Sequence, residues 1–150
     1  MSQRKAALLG LLVIAILFGS IVGMIQAQEF GTNWSATFFP TNNLSGSGVS
    51  VGGINGLNFN WGAGVPIVNS VAVAGMPTDN FSARFTSTQT FQAATYTFTV
   101  SSDDGVRLII DGQTVIDKFI GRALTTDTVQ RPMTAGPHNI TVEYFEGIDQ

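Results

Sequence analysis

Residues 95–112 read TYTFTVSSDDGVRLIIDG and decide the fold class of this chain. Apolar and polar residues alternate on both sides of the central SSDDG, a pattern that is typical of half-buried β-strands. Asp111-Gly112 is a strong signal for a hairpin turn. The stretch therefore predicts a meander of three antiparallel strands, the last of which contains Val115 and Ile116.

The same alternation recurs in residues 34–38, 81–85 and 140–144, and no segment after residue 28 has the apolar spacing of a long helix. Residues 41–80 differ, because glycine and asparagine interrupt the pattern and predict a long, irregular excursion. Short strands with frequent turns predict an all-β fold, an antiparallel β-sandwich or jelly-roll-like domain.

The N-terminus has the features of an export signal. Arg4 and Lys5 precede the uncharged apolar run from Ala6 to Ile25, which predicts an N-terminal hydrophobic signal helix. We therefore expect residues 1–28 to be a signal peptide or signal anchor and residues 29–150 to be one exported domain. This domain would be extracytoplasmic, secreted or at the cell surface, and would touch the membrane only through an uncleaved leader.

Composition excludes several classes of function. The chain has a net charge of −3, and without the two leader cations the remainder carries five basic and ten acidic residues. Nucleic-acid binding needs a clustered basic surface, so no nucleic-acid partner is expected. The chain has no cysteine, so a disulfide framework is excluded and stability must come from a packed core, with bound ions as a further source.

The sequence does not predict an enzyme, and no catalytic residue is assigned. Gly48-Val49-Ser50-Val51-Gly52 matches the G-x-S-x-G pattern, but the glycine-rich segment after it cannot begin the helix that a nucleophile elbow requires. The adjacent Asp103 and Asp104 cannot flank a glycosidic bond, as the two carboxylates of a glycosidase must.

A set of motifs, taken together in this order, resembles the PA-fourteen module first described in anthrax protective antigen. The motifs are DNFSARF at 79–85, TYTFTVSSDDGVRL at 95–108, Asp111-Gly112, Ala135-Gly136 with His138, and VEYFE at 142–146. The resemblance covers residues 30–150 and implies a lectin-like β-sandwich. It also implies one or two further strands after Gln150, so we expect the domain to be C-terminally truncated.

The resemblance also implies a ligand site. In sugar-binding members the aspartates equivalent to Asp103 and Asp104 are joined by a cis peptide and bind one calcium ion. Carried over to this chain, the calcium ligands are Asp103, Asp104, Asp149 and the backbone carbonyl of Ile148, and the carbohydrate-binding residues are Asp103, Asp104, Gly147, Asp149 and Gln150. From the residues alone, Asp-Asp-Gly is equally well explained as a structural turn.

These inferences predict an extracellular carbohydrate-binding module that uses calcium, binds glycans or polysaccharide, and belongs to a larger secreted hydrolase or adhesin. The alternative is a structural or protein-interaction β module without a sugar site.

Overall fold

The computed structural model describes residues 7–16 and 33–148, and every regular element in these ranges is a β-strand. The strands are β1 (Ala7–Ile16), β2 (Trp34–Phe39), β3 (Val49–Ile54), β4 (Asn58–Gly62), β5 (Ile67–Val68), β6 (Val71–Ala72), β7 (Phe81–Phe91), β8 (Ala94–Asp103), β9 (Gly105–Ile110), β10 (Gln113–Lys118), β11 (Thr125–Met133) and β12 (Gly136–Glu146). In this part of the chain no helical stretch has the length and apolarity that a membrane crossing requires.

The strands form two main antiparallel sheets, as the alternating pattern predicts. One has six strands in the order β10-β9-β12-β7-β2-β3, and the other has four in the order β11-β8-β1-β4, while β5 and β6 form a separate two-stranded pair. In the larger sheet Val142 of β12 lies opposite Phe85 of β7 and Leu108 of β9. All three side chains are buried, which confirms the assignment of strand faces from the sequence.

The core lies between the two sheets. Trp61 of β4 contacts the rings of Phe38, Phe81 and Tyr144 from the larger sheet. At the other end of the core, Phe91 packs against Phe98 of the four-stranded sheet. Because buried aromatic side chains each remove a large apolar area from water, these contacts stabilise the packing of one sheet on the other.

The helical leader expected over residues 1–28 is not shown. Ala7–Ile16 is a strand that pairs with β8 over nine residues and with β4 over four. An uncharged apolar segment can satisfy its backbone in a sheet as well as in a helix, and here it lies between two strands that each offer a free edge. The rest of the leader, residues 1–6 and 17–28, lies outside the described residues.

The prediction of an irregular excursion over residues 41–80 is wrong in part. The segment contains β3 to β6, and Trp61 within it is buried in the core. Short strands that contain several glycines carry little alternation, so their pairing could not be read from the local pattern.

The predicted meander is also wrong at its first turn. β9 and β10 form the expected hairpin at Asp111-Gly112, but β8 belongs to the four-stranded sheet and β9 to the six-stranded one. The Asp103-Asp104 segment therefore carries the chain from one sheet to the other instead of forming a hairpin tip.

A row of charged side chains crosses the outer face of the six-stranded sheet. Glu143 lies between Arg84 and Arg107, at 2.8 Å and 2.7 Å from the nearest guanidinium nitrogens. Arg107 also contacts Asp117, whose side chain is 58% exposed. The row joins β7, β12, β9 and β10 and keeps the buried carboxylate of Glu143 paired, as a buried charge requires.

Candidate functional site

The two candidate aspartates lie where the chain passes between the sheets. The peptide bond that joins Asp103 to Asp104 is cis, as the resemblance implies. Both residues are buried, with 6% and 7% of their surface exposed.

The carboxylate of Asp104 connects two loops. Its Oδ1 accepts a hydrogen bond from the backbone N–H of Arg122, and its Oδ2 accepts one from the backbone N–H of Gly147, both at 2.8 Å. A Cβ atom at position 147 would lie 3.0 Å from Oδ2, so a glycine is well suited to this close approach. Asp104 thus forms a bracket that holds the loop after β10 against the segment after β12.

Arg122 completes this arrangement from the same loop. Its Nε donates to the backbone oxygen of Asp104 at 3.3 Å, and its Nη2 donates to Ser102 Oγ at 2.7 Å. Its Nη1 pairs with Asp127, which holds the guanidinium in place. Arg122 could not be identified from the sequence, because it lies 18 residues from Asp104 in no recognisable motif and the fold alone brings the two together.

A hydrogen-bonded chain lies behind Asp103. Tyr144 Oη is 2.6 Å from the backbone oxygen of Asp103 and 2.5 Å from Glu146 Oε2. Burial, together with the negative charges of Asp104 and Asp103, raises the pKa of Glu146 to about 7, and burial likewise raises the pKa of Tyr144. A protonated Glu146 can donate to Tyr144, which then donates to Asp103, so that each proton has one acceptor.

The described residues contain only part of the predicted calcium site. Calcium takes six to eight oxygen ligands, and no group of three or more His, Cys, Asp or Glu side chains converges within residues 33–148. Both carboxylate oxygens of Asp104 already accept a hydrogen bond from a backbone N–H. The backbone carbonyl oxygen of Asp104 accepts one from the guanidinium of Arg122. Gly147 approaches Asp104 and Ile148 is 66% exposed, while Asp149 and Gln150 lie outside the described residues.

A family model of the PA14 domain matches residues 63–149. The chain belongs to the PA14 domain family. The predicted resemblance to the PA-fourteen module is therefore confirmed. The PA14 domain of the antifreeze protein MpAFP has the same fold, with a TM-score of 0.59 and 16% identity over 86% of this chain and 83% of that one.

The relatives with higher sequence identity are named as anti-sigma factors or as proteins that contain an anti-sigma factor domain. The anti-sigma-I factor RsgI3 of Acetivibrio thermocellus is 33% identical over 94 residues, which are 61% of this chain and 14% of that protein. Two solved structures of anti-sigma factor domain-containing proteins, one of them from Clostridium clariflavum, have TM-scores of 0.60 and 0.62 with 27% and 25% identity. The matches cover 80% and 88% of this PA14 chain. They cover 40% and 45% of the two solved chains, so this chain spans less than half the length of either.

These relatives overturn one prediction and confirm another. The prediction of a carbohydrate-binding module with glycan partners is wrong, because the matched proteins are anti-sigma factors, which are named for a protein target. The prediction that this PA14 domain is not an enzyme is confirmed. The glycan prediction rested on the family resemblance of the Asp-Asp-Gly motif, and a shared fold does not determine what a domain binds.

Proposed function

We propose that this chain is the extracytoplasmic sensing and protein-interaction module of a membrane-anchored regulator that resembles an anti-sigma factor. The observation that carries the proposal is the similarity to anti-sigma factor proteins, at 33% identity over 94 residues and at 25% identity over 88% of the chain. Arg4 and Lys5 before a run of 20 uncharged residues support an N-terminal signal anchor with the domain outside.

The bracket at Asp104 suggests how such a module would respond to a partner. Five large hydrophobic residues are exposed in the described part of the chain, and three of them, Ile120, Leu124 and Ile148, lie on or beside the loops that Asp104 connects. Exposed apolar side chains grouped on adjacent loops favour contact with another protein. A partner that moves either loop would break a hydrogen bond to the buried carboxylate of Asp104. Binding of the partner would then change the structure at Asp103-Asp104, where the chain passes from one sheet to the other.

Residues 7–16 cannot lie in the membrane and form strand β1 at the same time. In the anchored protein, residues 7–16 would lie in the bilayer as a helix, because a spanning segment must satisfy its backbone internally. The proposal therefore requires that in the anchored protein these residues are not paired with β4 and β8.

Cysteine labelling tests the proposed location, since the chain has no cysteine of its own. In intact cells a membrane-impermeant maleimide is expected to label Thr114→Cys, at an exposed position of β10, and to label Ser2→Cys only after lysis. Labelling of Thr114→Cys only after lysis would refute an extracytoplasmic domain.

Deletion of residues 33–148 from the full-length protein in its native host tests the regulatory role. RNA sequencing is expected to show several-fold changes at a set of promoters that share one recognition sequence, because a released or locked sigma factor acts on all its promoters together. An Asp117→Asn variant, altered at an exposed side chain, should leave these transcripts unchanged. If no such promoter set responds to the deletion, the anti-sigma role is refuted.

Calcium binding by Asp103, Asp104, Asp149 and the Ile148 carbonyl stays a separate prediction, which follows from the family resemblance. Calorimetric titration of the full chain with calcium tests it. Heat that disappears in Asp104→Ala would support the site. Absence of heat for the wild type, or the same affinity in the variant, would reject it.

A further inference from the structure

His138, the one histidine of the chain, joins two turns at the end of the sandwich away from Asp104. Its Nδ1 is 2.6 Å from Oδ2 of Asp111, in the β9–β10 turn. Its Nε2 is 3.1 Å from the backbone oxygen of Thr134, in the β11–β12 turn, and 3.2 Å from the Thr134 hydroxyl. Asp111 lies at the opposite end of β9 from Asp104, so this contact is separate from the bracket.

The partners of the ring determine how many protons it carries. A carboxylate oxygen and a backbone carbonyl oxygen can only accept hydrogen bonds, so both ring nitrogens must donate if both contacts are made. A neutral imidazole has one N–H and cannot donate to both. Only the doubly protonated, positively charged form of His138 donates to both oxygens, whereas in the form protonated at Nδ1 alone Nε2 can accept a hydrogen bond from the Thr134 hydroxyl at 3.2 Å.

The backbone around Asp111 keeps its carboxylate in place. Asp111 Oδ1 accepts the backbone N–H of Asn139 at 2.9 Å, and the backbone N–H of Asp111 donates to the oxygen of Asn139 at the same distance. Asp111 has a φ of 50°, which aspartate and asparagine tolerate in a hairpin turn. The Asp111 carboxylate thus bonds to the side chain of His138 and to the backbone of Asn139, the next residue of β12.

The other groups that face the ring are few among the described elements. From β7, the ring of Phe91 lies 5.6 Å away in an edge arrangement and carries no charge. From β11, the cation of Arg131 opposes protonation of His138, but Gln113 holds that guanidinium at 2.8 Å. The hydrogen bond that His138 donates to Asp111 is the largest influence and raises the pKa of His138, while the same bond lowers the pKa of Asp111.

We propose that His138 and Asp111 form a pH-operated clasp that locks the β9–β10 turn to the β11–β12 turn while the imidazole is doubly protonated. Loss of one proton from the ring leaves a single N–H, so either Asp111 or the Thr134 carbonyl loses its donor. The clasp then loosens at one end of the sandwich. This device is independent of the proposed function and of any ion at Asp104.

The sign of the pH dependence follows from the two pKa shifts. The folded-state pKa of His138 is raised above its unfolded value of about 6.5, so its contribution to stability is complete below that value. It is lost as the pH rises through the folded-state pKa. The pKa of Asp111 is lowered, so its contribution is present above about 4 and lost as the pH falls through its folded-state pKa. The clasp is therefore fully closed between about pH 4 and 6.5.

An NMR titration of the full chain tests the proposal, because a single histidine gives unambiguous ring signals. The wild-type ring is expected to titrate above about 6.5, and Asp111→Asn is expected to lower that midpoint. Asparagine keeps the turn conformation and one oxygen for Asn139 but removes the charge. Asp117→Asn is the matched control, which should leave the ring midpoint unchanged because Asp117 contacts Arg107 instead.

Thermal unfolding gives a second, independent measurement. Between pH 6 and pH 8 the wild type should lose about 1–4 °C in Tm more than His138→Gln does, since an exposed ion pair contributes little. A wild-type ring midpoint at or below about 6.5, an unchanged midpoint in Asp111→Asn, or equal Tm changes in wild type and His138→Gln would overturn the clasp.

Discussion

Replacement of Asp104 by asparagine separates the structural bracket from an ion site. The side chain is nearly isosteric, but its amide offers one oxygen where the carboxylate offers two. One of the two backbone donors, Arg122 N–H or Gly147 N–H, would then face an NH₂ group instead of an oxygen. The loop on that side loses its attachment to the junction between the sheets.

The expected magnitude follows from these contacts. A hydrogen bond to a charged group contributes about 1.5–3 kcal/mol, and a buried donor left without an acceptor costs a comparable amount. Asp104 is 7% exposed, so water cannot readily replace the missing oxygen. We therefore expect Asp104→Asn to lower the free energy of unfolding by about 2–4 kcal/mol.

Urea unfolding of the full chain in excess EDTA is the appropriate assay, because it measures the bracket without an ion. Asp117→Asn, at an exposed position, should change stability by less than about 0.5 kcal/mol. A loss below about 0.5 kcal/mol for Asp104→Asn in EDTA, or a loss that develops only in calcium, would refute the structural role of Asp104.

Two further predictions concern packing and the charged row. Gly105→Ala should destabilise the fold by about 1–3 kcal/mol or more, since its Cβ would lie 2.1 Å from the ring of Phe145. Gly52→Ala is the control and should be nearly neutral, because no atom lies within 4 Å of its Cβ position. Thermal unfolding measures both variants. Glu143→Gln should lower the unfolding free energy by about 1–2 kcal/mol, because it leaves two arginines without their shared carboxylate. The loss should shrink in high salt, and an equal loss at all salt concentrations would contradict an ionic origin.

The faces of the strands could be predicted from the sequence because the signal is local. In β7, β8, β9 and β12 every second side chain points to the core, and the apolar residues follow that period. Hydrophobic burial acts on each residue in turn, so the pattern along one strand suffices to assign its buried face. The all-β class and the Asp111-Gly112 hairpin followed from the same local information.

Strand partners could not be predicted in the same way. The Asp103-Asp104 segment has the composition of a hairpin tip, yet it connects two different sheets, because β9 pairs with β12 and β10 and β8 pairs with β1 and β11. Pairing depends on which distant segments complete the hydrogen-bonding edge of a strand, and that information is not contained in the strand itself.

Local sequence is sufficient to predict the alternating strands, the turn at Asp111-Gly112, the family resemblance and the position of the aspartate pair. It does not predict the role of Asp104, because the partners Arg122 and Gly147 are 18 and 43 residues away. The pairing of His138 with Asp111 was decided in the same way, across 27 residues. Side-chain periodicity is a property of neighbouring residues, whereas a hydrogen bond between loops exists only after the sheets have packed and placed both groups within about 3 Å.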